Sequence, residues 1–104
     1  MSKFNQRGFM GGGAQMQQMM KQAQDMQKQL EKTKEELAET VIEASSGGGM
    51  VTVEITGAYE LINLRVKPEA VDPDDVEMLE DLVIAAINEA LNQVTKLREE
   101  KIPL

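Results

Sequence analysis

The stretch from Gln15 to Leu37 constrains this chain more than any other. It contains no glycine, no proline and a single β-branched residue, Thr33. Met, Gln, Lys, Glu and Leu fill it, residues that lose little side-chain freedom in a helix. Apolar or small side chains recur at alternating steps of three and four, at Met16, Met19, Ala23, Met26, Leu30, Thr33 and Leu37. That heptad-like spacing makes one stripe for a second helix to cover. At about 100° per residue, Lys21, Lys28 and Lys32 fall within roughly 40° of one another, almost opposite the stripe. One face asks for an apolar partner, and the other presents ammonium groups to something negative. The lysine row stops where Glu35, Glu36 and Glu39 take over. An anion site on this helix therefore belongs to its N-terminal two-thirds.

Residues 1–14 are glycine-rich and poor in strong helix formers, and read as a flexible arm carrying Lys3 and Arg7. The helix is expected from Gln15 to about Ala38, and residues 15–104 are expected to form a single domain.

At Thr40 the period changes from 3.6 to 2. Thr40 to Ser45 reads as a short strand, and Ser46-Gly47-Gly48-Gly49 as a turn. From Met50 to Thr56, Val51, Val53 and Ile55 alternate with Thr52, Glu54 and Thr56. Gly57-Ala58 fits a two-residue hairpin turn with glycine first, the type II′ choice. Leu61 to Val66 returns, with Ile62, Leu64 and Val66 sharing a face. The triple glycine is no phosphate cradle, because a strand follows it where such a loop needs a helix N-terminus.

Asp72-Pro73-Asp74-Asp75 reads as a helix start, with Asp72 as N-cap and Pro73 in the first helical position. Capping accounts for these carboxylates, which lack the glycine and distal Glu of a calcium loop. The last helix is expected from Pro73 to Lys101, ended by Pro103. Its apolar face runs through Val76, Leu79, Val83, Ala86, Ile87, Ala90, Val94 and Leu97. Met78, Leu82, Ile84 and Leu91 widen that face beyond what one side of a three-stranded sheet covers. The fold class expected is α+β, in the order α-β-β-β-α.

Composition excludes several chemistries. There is no cysteine and no histidine in the 104 residues, which removes thiolate chemistry, the commonest metal ligand and the usual neutral-pH proton carrier. No nucleophile–base set stands out, so an enzyme is not expected, nor a cofactor, a bound metal or a small-molecule substrate. No run has the length and apolarity of a membrane span or a secretory signal, and the expected location is the cytoplasm. The net charge of −7 conceals an asymmetry: residues 1–34 carry six basic and two acidic groups, and residues 35–104 carry five basic and sixteen acidic ones. A basic segment on an otherwise acidic body points to one anion-binding region.

A helix of about 23 residues spans roughly 35 Å, more than a small sheet covers. Part of the first helix is therefore expected to project, and its seam needs a partner helix from the same or a second chain. A two-fold homodimer answers this, with Val51, Val53, Ile55, Leu79, Leu82 and Ala86 as the expected interface.

Three segments carry a family likeness: Met19 to Gln27 (MMKQAQDMQ), the Gly47-Gly48-Gly49 turn into Val51-Thr52-Val53 with Gly57, and Glu77 to Leu82 followed by Ala85 to Ala90. In joint order and spacing the chain resembles the YbaB/EbfC family of small bacterial nucleoid-associated proteins over nearly all but its first dozen residues. The resemblance implies a tweezer-like homodimer with helical arms. It also implies binding of double-stranded DNA with limited sequence preference, in nucleoid organisation and gene regulation. In such a protein the arms contact DNA, which by position singles out Lys21, Lys28 and Lys32, and then Lys34, Lys96, Arg98 and Lys101. The alternative reading is an acidic, dimeric protein-interaction module, an adaptor or holdase with a Met-rich helical clamp.

Overall fold

The computed structural model describes the backbone of residues 2–102 and the side chains of residues 13–102. The order is a helix α1 (Ser2–Glu39), strands β1 (Val41–Ser46), β2 (Val51–Thr56) and β3 (Leu61–Val66), a 3-10 turn (Pro68–Ala70) and a helix α2 (Val76–Lys101). This is the expected α-β-β-β-α arrangement. The chain divides into two compact units, Met1–Lys32 and Thr33–Leu104.

The first unit is helical. α1 begins at Ser2, upstream of the start expected at Gln15. A glycine inside a helix costs about 1 kcal/mol relative to alanine, which weakens a helix without forbidding it. The side chains of Lys3, Arg7 and the two phenylalanines lie outside the described residues, as does Pro103.

The second unit holds the sheet, ordered β1-β2-β3 and antiparallel throughout. Val41 pairs with Thr56 and Ser46 with Val51, so Ile42 and Ala44 share a face with Ile55 and Val53. α2 lies on that face, against β1 and β2. Ala44, Val51, Val53, Ile55, Ala86, Ala90 and Val94 make the buried core, and Leu79, Leu82, Val83, Ile87 and Leu91 pack around it. The small Ala86 and Ala90 let the helix backbone approach the sheet. The Ser46 hydroxyl donates to the Leu82 carbonyl at 2.6 Å and ties β1 to α2. β1 and β2 are joined through three glycines with positive φ. At Gly47 an added Cβ would also stand 2.7 Å from the Leu82 side chain.

The second hairpin departs from the expected two-residue turn. The Tyr59 amide donates to the Thr56 carbonyl at 3.1 Å, and the Thr56 amide donates to the Glu60 carbonyl at 2.8 Å. The loop is thus three residues long, and Tyr59, not Gly57, takes the left-handed conformation with φ 64°. A three-residue loop needs a left-handed third residue, and that is what displaces the type II′ geometry. β3 also carries a bulge. Glu54 pairs with Asn63 but Ile55 pairs with Leu61, so Ile62 is the extra residue.

The start of α2 differs too. Asp72 to Asp75 form a turn, with the Asp75 amide donating to the Asp72 carbonyl at 3.0 Å. The Asp72 carboxylate accepts the Asp74 amide at 2.9 Å within it. Asp75 is the N-cap and accepts the Met78 amide at 3.2 Å. Pro73 serves as the turn's second residue, where its fixed φ fits equally well.

Candidate nucleic-acid interface

The lysine row lies in the interior of α1, where the dense helix formers fix its azimuth. Lys21, Lys28, Lys32 and Lys34 are all exposed. None of them has an ion-pair partner among the described residues, where the salt bridge found is Arg65 to Glu54 at 2.8 Å. At 1.5 Å per residue the row from Lys21 to Lys32 extends roughly 16 Å. Lys34 stands about 140° from Lys21 around the axis, off the row. Asp25 borders the row, about 40° from Lys21.

The N-terminal part of the seam, on the opposite side of α1, is open, with Met16, Met19 and Met26 64–71% exposed, whereas Leu37 at its end is buried. There the helix carries an uncovered apolar stripe on one face and, on the other, ammonium groups with no ion pair among the described residues.

The three basic residues of α2 do not form a row. Lys96 and Lys101 are exposed, whereas Arg98 is partly buried. Its guanidinium donates to the Gly57 carbonyl at 2.9 Å and lies 5.4 Å from the centre of the Tyr59 ring. The Tyr59 hydroxyl meets the Thr95 hydroxyl at 2.7 Å. Arg98 is thus committed to the β2–β3 loop. Sequence reasoning did not find this clasp. The available signal was an out-of-place tyrosine in a turn, since Gly57-Ala58 alone looked sufficient.

Of the six residues expected at a dimer interface, Val51, Val53, Ile55 and Ala86 lie in the chain's own core, with at most 1% of their surface exposed. They are the inward face beneath α2 and have nothing left to offer a second copy. Leu79 and Leu82 pack at the margin of that core. The open apolar surface of this unit lies instead on β3, which α2 does not cover. Leu61, Ile62 and Leu64 are 47–50% exposed and form a groove with Ile87. Met78 and Ile84 on α2 are also exposed. The signal for β3 was its three apolar residues in four positions, read as a simple alternation because a bulge is invisible in sequence.

Among the described residues no helix is long and apolar enough to cross a membrane.

A helical unit with an exposed basic row and a small α+β unit, taken together as one sequence, can be compared with known proteins. The model of the YbaB/EbfC DNA-binding family matches residues 10–103. The chain belongs to this family. Curated relatives agree. A nucleoid-associated protein of Alkaliphilus metalliredigens is 55% identical over 82 residues, covering 79% of this chain and 72% of the relative. One from Acetivibrio thermocellus is 51% identical over 90 residues, covering 86% and 80%. One from Chloroflexus aurantiacus is 48% identical over 85 residues, covering 82% and 85%. The crystal structure of the uncharacterized protein HP0035 from Helicobacter pylori matches with a TM-score of 0.71 at 26% identity, over 79% of this chain and 86% of that one.

Proposed function

We propose that this protein is a nucleoid-associated protein that binds duplex DNA as a homodimer, through phosphate contacts from Lys21, Lys28 and Lys32 of each copy. The observation that carries the reading is the lysine row, exposed, without ion pairs among the described residues and on one side of α1, in a chain of a DNA-binding family. Lysines that neutralise phosphates release counterions, so binding is electrostatic and carries little sequence information. Lys34, Lys96 and Lys101 add secondary, less aligned charges. The function is binding and not catalysis, and its place is the cytoplasm, at the nucleoid, with roles in nucleoid organisation and gene regulation.

The second copy seats on β3. A strand edge is self-complementary under a two-fold axis, because it pairs antiparallel with its own copy. The half-exposed Leu61, Ile62 and Leu64 give that contact its apolar component.

Titrating salt against duplexes of unrelated sequence tests the reading. With about six phosphate contacts per dimer, log K falls against log salt with a slope near −5. Replacing Lys21, Lys28 and Lys32 by Gln flattens that slope. A slope near zero in the unaltered protein, or no change in the triple variant, sinks the proposal.

A further inference from the structure

We infer that Arg98 serves DNA binding as a positioning residue: with Tyr59 it clasps the β2–β3 loop to α2, and the clasped loop holds the last turn of α1, the helix that bears the lysine row. This rests on the DNA-binding role proposed above for that row.

The contacts form a chain. Arg98 and Thr95 lie on α2, about one helical turn apart. Arg98 holds the Gly57 carbonyl at 2.9 Å and stacks on Tyr59, while Thr95 holds the Tyr59 hydroxyl at 2.7 Å. From the loop, the Gly57 amide donates to the Thr40 carbonyl at 3.0 Å. Thr40 in turn donates its amide to the Leu37 carbonyl at 3.1 Å and its hydroxyl to the Glu36 carbonyl at 2.8 Å. Leu37 is buried. The end of α1 is thereby tied, through one glycine, to two side chains of α2.

Tyr59 marks this loop as more than a connection. A bulky residue in the left-handed region is uncommon and persists where its surroundings hold it there. Here the ring is held by a guanidinium on one side and a hydroxyl at its tip. An ordinary three-residue loop would use glycine or asparagine at that position and need neither contact. With one N–H engaged by the Gly57 carbonyl and the group lying against the Tyr59 ring, Arg98 is less free than an exposed lysine to follow a phosphate.

The test separates clasp from charge. Arg98→Lys keeps the charge but loses the planar group, and Tyr59→Phe keeps the ring but loses the hydroxyl. Thr95→Val is a milder second route to the same hydroxyl contact. Each full-length variant is measured for duplex DNA affinity over a salt series and for amide hydrogen exchange. Arg98→Lys and Tyr59→Phe are expected to weaken DNA binding by roughly twofold to thirtyfold, the range by which residues that touch neither ligand modulate coupling. Their salt slopes stay unchanged, and the Gly57 and Thr40 amides exchange faster. The Lys21/Lys28/Lys32→Gln variant shows the converse, a flatter slope with unchanged exchange at Gly57 and Thr40. Wild-type affinity in Arg98→Lys overturns the inference, as does faster exchange without any loss of affinity. If the lysine variant binds DNA like the wild type, the DNA reading beneath it falls, and that result is recognised in the lysine variant alone.

Discussion

Gly57 packs against Leu37 with no room for a side chain. A Cβ built on Gly57 would stand 3.0 Å from the Leu37 carbonyl carbon and 3.1 Å from its Cα, with the carbonyl oxygen closer still. The obstacle is backbone at the end of a helix, which cannot swing aside as a side-chain tip can. Gly57→Ala is therefore expected to destabilise the fold by about 1–3 kcal/mol, the usual cost of forcing extra volume into a packed site. Gly48 offers a control. It has open space around it and φ +66°, so Gly48→Ala meets only backbone strain, of about 1 kcal/mol. Urea midpoints of the two variants give the comparison, and equal losses would refute the steric account.

The cap of α2 gives a second prediction. Asp75 accepts the Met78 amide at 3.2 Å, whereas Asp72 accepts the Asp74 amide within a turn. Asp75→Ala should cost about 1 kcal/mol, the typical value for losing an N-cap. Asp72→Ala should cost less, because it leaves the cap in place. The reverse ranking in thermal melts would restore Asp72 as the cap.

Gly13 gives a third, of opposite sign. It sits within α1 with nothing near the position a Cβ would take. Gly13→Ala is expected to stabilise the helix by about 0.5–1 kcal/mol, through the lower backbone entropy of alanine in the unfolded chain. Far-ultraviolet circular dichroism should show equal or greater helicity. A loss of helical signal would contradict a helix running through this position.

These residues show where sequence was sufficient. The alternation of Val51, Val53 and Ile55 was enough to place β2 and its buried face, because a period of two has no competing explanation. The glycine run, needing positive φ, placed the first turn. Gly57 was recognised as a special residue for the wrong reason. Its glycine answers a close approach by Leu37, a tertiary fact, while the left-handed residue is Tyr59, a residue type that does not by itself call for a positive φ. The Asp72/Asp75 ambiguity is of another kind, since both are good caps in a run of acids and hydrogen bonding decides between them. The lysine row was legible because it depends only on helical geometry. Of the residues expected at an interface, Val51, Val53, Ile55 and Ala86 lie in the chain's own core, because an apolar pattern in sequence does not separate the surface a chain covers itself from one it would offer a second copy.

The interface can be tested at β3. Leu64 is half exposed and pairs with Val53 across the ladder. A lysine there keeps its charged end in water in a single chain and loses little stability. Between two copies brought together at β3 it would bury two like charges. Leu64→Lys should therefore lower the mass measured by light scattering to that of one chain while circular dichroism stays native. A full-mass assembly in the variant would place the contact elsewhere.

Asp25 provides the sharpest test of the row itself. It lies one turn from Lys21 and about 40° from it around α1, so it sets a negative charge beside the ammonium groups. It is exposed and makes no ion pair among the described residues, so changing it disturbs no packing. If the row meets phosphates, Asp25 repels them, and Asp25→Lys both removes that repulsion and adds a contact. The salt slope should then steepen by roughly 0.9 for each copy that gains a contact, and affinity should rise most at low salt. If the lysines are merely a solvated face, the same substitution leaves slope and affinity where they were. A charge reversal on the Glu77 side chain of α2, exposed and on the acidic part of the chain, separates a local effect from one of net charge. Equal gains from Asp25→Lys and Glu77→Lys would mean that overall charge governs binding, and the row would lose its special place.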